Sequence, residues 1–144
     1  MTRSSWRCER GAELIEFAIV APILIFIIAG IADFGMMFRA YEAVTNAARE
    51  GARVGVLPGY DAPDVQARVD TYLAASGLAG SRTTTVANVP VATPAGVFTA
   101  RSVTVQYIHQ FAILGAAAPL FGGNFGTITL NAVSVMRTET QAAP

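Results

Sequence analysis

Cysteine, histidine and lysine are nearly missing from this chain of 144 residues. Its one cysteine, Cys8, stands close to the N-terminus, so no disulfide can staple the rest of the chain to itself. A lipid-attachment reading of Cys8 also fails, because the preceding Ser5-Trp6-Arg7 is neither small nor apolar. His109 is the single histidine and has no second His or Cys to complete a metal site, so it reads as a strand-end residue. Lysine is absent, and the ten arginines are balanced by ten Asp and Glu. With zero net charge and no basic stripe, nucleic acid is an unsuitable partner. No Ser/His/Asp set or phosphate-cradling glycine loop is legible. Asp33-Phe34-Gly35 has the letters of the kinase magnesium motif, but it sits in an apolar run with no catalytic loop nearby. The expectation is a chain that is not an enzyme and holds no metal or cofactor.

Apolar sequence is what the chain has in quantity: 53% of its residues are hydrophobic and its mean hydropathy is +0.46. From Phe17 to Phe38 the only ionisable side chain is Asp33. As a helix those residues reach about 33 Å, enough to cross a bilayer core. Arg3, Arg7 and Arg10 outweigh Glu9 before the run, which predicts a cytoplasmic N-terminus and an exported remainder. A cleaved secretory signal is disfavoured, since the apolar helix continues past Ala29-Gly30-Ile31-Ala32. Glu16 stands at the mouth of this run. A carboxylate beside lipid costs about 2–3 kcal/mol near mid-membrane and less toward the interface. It therefore calls for a positive partner. Asp33 reads as an interfacial carboxylate at the end of the helix.

The segment Gly11-Ala12-Glu13-Leu14-Ile15-Glu16-Phe17 follows a basic leader and opens into the apolar run. It resembles the prepilin processing site of the tight-adherence (Flp-type) branch of type IV pili. The resemblance implies cleavage by a prepilin peptidase between Gly11 and Ala12. Glu16 then becomes the fifth mature residue and Phe17 the sixth. Major pilins of that branch usually carry Tyr where this chain has Phe17, which points to a minor subunit. Physically, such a cut frees an α-amino group at Ala12, charged or partly charged near neutral pH. The Glu16 carboxylate of one subunit can pair with that amine on a neighbour and fix the axial stagger between them.

Helix formers continue past the membrane without a proline until Pro58, so one helix from Ala12 to about Val56 is predicted. Ala43, Ala47, Gly51 and Gly55 recur every fourth residue, with Ala48 and Ala52 alongside. That small-residue stripe permits close approach of a sheet or another helix. Asn46, Arg49, Glu50 and Arg53 flank it. They read first as intrahelical pairs worth about 0.2–0.5 kcal/mol each, and second as a seam toward a partner subunit. The block Thr45 to Arg53, shortly after Ile31-Ala32-Asp33-Phe34-Gly35, resembles the TadE-like family, minor pseudopilins of the tight-adherence system. Usual members carry Glu in place of Asp33.

Past a turn-rich break at Leu57 to Pro63, Asp64 reads as the cap of a second helix, Val65 to about Ala75, with Val65, Val69, Tyr72 and Leu73 as its apolar face. The period then changes to two. Strands are expected over Thr83 to Val89, Arg101 to Ile108 and Thr127 to Arg137. Val133 and Val135 fall out of phase with Ile128, Leu130 and Ala132, which suggests a bulge near Ala132. Val89 to Gly96, with Pro90 and Pro94, reads as an irregular loop. The apolar connection Phe111 to Gly126 reads as core packing, or as a subunit contact where exposed.

These elements imply an α+β, pilin-like fold: a leader over residues 1–11, a long helix over 12–56 with its membrane span at about 17–38, and a small exported domain over 57–144. The stripe would face the sheet. The resemblance implies a minor pseudopilin, single-pass in the bacterial inner membrane, that supports pilus assembly. Its partners would be the prepilin peptidase, other pilin or pseudopilin subunits and the inner-membrane assembly platform. Two other readings use the same anchor: an unprocessed bitopic scaffold of the secretion machine, and an adhesive or ligand-binding domain on a membrane stalk.

Overall fold

The computed structural model describes residues 6–94, 96–123 and 126–138. Leader residues 1–5 and the tail Gln141-Ala142-Ala143-Pro144, expected to be frayed, lie outside the described residues. Helix α1 runs without interruption from Trp6 to Gly55, 50 residues or about 75 Å. It passes through Pro22, whose missing N–H leaves one carbonyl a turn earlier without its helical donor. Then come α2 (Ala62–Ala75), β1 (Arg82–Thr93), β2 (Gly96–Gln110), α3 (Ile113–Ala117), a 3-10 turn over Ala118–Phe121, and β3 (Thr127–Arg137).

The three strands form an antiparallel meander in the order β1-β2-β3. The second half of α1 and the antiparallel α2 cover one face of it. The core is small and mostly aliphatic: Ala40, Val44, Ala47, Ala48 and Ala52 from α1, Val65, Val69 and Leu73 from α2, and Val103, Val105, Tyr107, Leu130 and Ala132 from the sheet. Each fully buried Val or Leu contributes about 1.5–3 kcal/mol. With no disulfide available, the domain depends on α1 for a third of this core.

Four expectations are corrected. Helix α2 starts at Ala62, not Val65, and its N-cap is Asp61. Asp64 sits one turn inside, where its carboxylate accepts the Asp61 backbone N–H at 3.0 Å. Val89 to Thr93 is strand rather than loop: β1 continues to Thr93, with Pro90 opposite Thr99 and Thr93 opposite Gly96. An edge strand has one side without ladder partners, so it tolerates the proline. There is no bulge at Ala132, because the β2–β3 register is unbroken from Ala100↔Arg137 to Gln110↔Thr127. Leu130, Ala132, Ser134 and Met136 face the helices, and Val133 and Val135 lie exposed on the open face. Finally, the Phe111 to Gly126 connection is core only in part: α3 contributes no buried residue, while Ala118 just after it is buried.

Candidate assembly surface

Helix α1 has two halves with opposite surroundings. In the first, mean hydropathy reaches 2.7 and none of the apolar window is buried by the chain itself. Such a face is stable only in lipid or against other apolar helices. Gly11 and Ala12 lie exposed on continuous helix, and a Cβ built at Gly11 would touch nothing. Glu13, Glu16, Phe17 and Val20 line one shallow depression, as the 3.6-residue period requires of positions three and four apart. Phe17 is 69% exposed. The Glu16 side chain is exposed too, and it makes no hydrogen bond or ion pair among the described residues.

The second half of α1 is the floor of the sheet domain. Ala47, Gly51 and Gly55 are buried and Ala43 is half-buried. A Cβ at Gly51 would lie 2.6 Å from Val69 Cγ2 and 3.3 Å from Val103 Cγ1, so α1 is pressed between α2 and the sheet there. At Gly55 the nearest atoms are Val65 Cγ2 at 3.1 Å and Arg101 Cγ at 3.2 Å. In this structure the stripe is occupied by the chain's own domain.

The flanking polar residues divide in two. Glu50 accepts from Arg53 on its own helix at 2.8 Å and from Arg68 on α2 at 2.7 Å, tying the two helices together. Arg53, then Arg68, hold its carboxyl at about 2, below the ordinary 4.5. A depressed value means that this stabilisation is complete above about pH 4.5 and is lost as pH falls toward 2. Glu50→Gln is therefore expected to lose about 1 kcal/mol at neutral pH. Thermal melts of both proteins should converge near pH 2. Asn46 and Arg49 are exposed and make no side-chain contact of this kind among the described residues. They are the part of the polar set left facing outward. Arg68 is a residue that the spacing along α1 could not reveal.

Asp33 is the other residue that sequence placed wrongly. It stands in mid-helix and is fully buried, not at a helix end. Its Oδ2 accepts the backbone N–H groups of Ile113 at 2.9 Å and Leu114 at 2.7 Å, which caps α3. The Phe34 ring meets Phe111 edge-on at 5.8 Å, and the His109 ring also meets Phe111 edge-on at 5.4 Å. A carboxylate inside an apolar run was itself the signal that a partner existed. A half-open recess of about 570 Å³ beside this end of the domain is bordered by Arg39, Ser76, Ser81 and His109. His109 closes the β2 strand, and its Nε2 has no hydrogen-bond partner among the described residues. No cluster of three or more His, Cys, Asp or Glu suited to a metal occurs among the described residues.

The apolar first half, the exposed carboxylate at its mouth and the docked second half all fall within one matched segment: the family model described as TadE-like protein covers residues 11–53. This segment is similar to the TadE-like family. The match lies within α1, ending two residues before the helix does, and leaves the sheet domain outside it. Searches of curated proteins and of solved structures returned no match to the chain. The likeness is confined to that segment, and the long apolar helix running through it fits a single-pass membrane anchor.

Proposed function

We propose that the chain is a minor pseudopilin that supports or primes assembly of the tight-adherence pilus. In this reading it has no catalytic role. A prepilin peptidase removes the leader after Gly11, and the mature chain sits in the inner membrane with its sheet domain exported. The observation that carries this reading is the division of α1. The helix spends its small-residue face on its own domain and leaves the apolar stretch before Asp33, with Glu16 unpartnered among the described residues, for neighbours. A simple anchor gains nothing from a carboxylate there. An assembling subunit gains an axial register once Glu16 meets the new amine of an adjacent chain, and that pairing offsets the cost of holding it near lipid.

The pilin or pseudopilin subunits and the assembly platform are the partners this arrangement suits, with Glu16 and Phe17 in the bundle and Asn46 and Arg49 at its edge. Complementation tests it. Deleting the gene should abolish piliation, the intact chain should restore it, and a chain bearing Gly11→Trp should remain in the membrane unprocessed without restoring it. Full piliation by the unprocessed variant would move the function to a bitopic scaffold.

A further inference from the structure

The α3 region lies at an unexpected height. Asp33 precedes Phe38, the last residue of the apolar run, by five positions, which is about 7.5 Å along the helix axis. The carboxylate bonds directly to the first turn of α3, and Phe34 packs on Phe111, so residues 111–114 are fixed at that same level. Any bilayer that accepts α1 up to Phe38 must also meet α3.

The surface there suits lipid. None of the residues of α3 is buried, and Ile113 is 43% exposed. Ile128 near the start of β3, on the helix-facing side of the sheet, is exposed as well, as is Ile108 near the end of β2 on the open side. Between Arg101 and Arg137 the sequence contains no Asp, Glu, Lys or Arg, so nothing charged would be dragged into the boundary. Arg39 is exposed one residue past the apolar run, where its long stem can carry the guanidinium back to the headgroups.

Backbone at lipid depth needs internal partners for its polar groups. Here they are present. Asp33 takes the leading N–H groups of α3, and Ala118 donates back to the Leu114 carbonyl. Gly123 and Gly122 donate to the carbonyls of Ala118 at 3.2 Å and Pro119 at 3.3 Å. Phe111 donates to Gly126 at 2.9 Å, closing the base of the connection.

We propose that residues 111–119 form a second membrane contact, a short apolar wedge seated in the lipid boundary beside α1, with Asp33 as the staple that holds it there. The wedge would set the tilt and height of the sheet domain against the bilayer before the subunit leaves it. The proposal rests on α1 being a membrane span.

The test uses the full chain in a Cys8→Ser background, reconstituted in vesicles of phosphatidylethanolamine and phosphatidylglycerol. Single cysteines replace Ile113, Ile27 or Val133 and carry an environment-sensitive fluorophore. Lipids bearing a nitroxide at a shallow or a deep acyl position serve as quenchers. The expected result is quenching at position 113 several-fold above that at 133, with the shallow nitroxide more effective. Position 27 should respond more to the deep one. Adding Asp33→Ala should bring quenching at 113 down toward the level at 133 and leave 27 unchanged. Quenching at 27 with none at 113 overturns the wedge while the span stands. Quenching at neither site overturns both. A label at 113 that is shielded from water yet untouched by nitroxide lipid would assign the face to another protein chain and overturn the proposal. Undiminished quenching at 113 in the Asp33→Ala chain would overturn the staple.

Discussion

Replacing Glu16 by alanine is expected to lower co-purification of the chain with its pilus partners at least tenfold, with its own abundance and thermal melt unchanged. The second half of that statement follows from the fold. Glu16 is exposed and touches no other charged group among the described residues, so its loss removes nothing from the isolated subunit. The first half follows from the bundle. Removing one member of a buried ion pair leaves the other uncompensated, at a cost of about 3–5 kcal/mol. At about 1.4 kcal/mol per decade, that is two or more orders of magnitude in an association constant, before avidity along the helix softens it. Affinity capture from solubilised membranes measures the effect. Glu16→Gln, which keeps the shape and loses the charge, should recover little. Wild-type levels of capture by the alanine variant would mean that the carboxylate does not set register.

The second large effect concerns the floor of the domain. Gly51→Leu is expected to cost more than about 3 kcal/mol and to lower the thermal midpoint by 10 °C or more. Even a methyl at this position would stand 2.6 Å from Val69 Cγ2. Val69 is β-branched, fully buried and wedged beside Val65, so it has no free rotamer into which to retreat. Leucine adds three further carbons to the same filled space. Its better helix propensity returns only about 1 kcal/mol. Asn46→Leu, on the exposed face, provides the control for propensity and should leave the midpoint within a few degrees. Circular dichroism melts of the full chain in detergent read both. Equal melting of the two variants would show that α1 does not pack on α2 and the sheet as closely as described.

Periodicity served the regular elements well. The C-terminal end of α1, the Val65/Val69/Leu73 face of α2 and the limits of β3 are legible in the sequence, because each buries one stripe or one face against a single partner layer, whereas α1 begins at Trp6, ahead of the expected Ala12. The misreadings share a different cause. The opposite phase of Val133 and Val135 suggests a bulge, yet the register is unbroken and these residues simply lie on the uncovered face of the sheet. Pro90 was taken as a strand breaker, although an edge strand can hold it. Of the assembly surface, Gly11, Glu16 and Phe17 were legible as a motif, since their meaning is local in sequence. Asp33 was noticed but misplaced: its partners are backbone groups of Ile113 and Leu114, 80 and 81 residues away, and no side-chain pattern announces them. The Glu50–Arg68 tie, 18 residues apart across a turn, was hidden for the same reason.

In the proposed function, α1 is matured and assembled rather than left as an anchor. Intact mass and N-terminal sequencing of the protein from its native membranes test it most directly. The account predicts a chain that begins at Ala12, with a free amine available to the Glu16 of a neighbour. A chain that still carries Met1 through Gly11 would leave Glu16 without that amine and contradict the account.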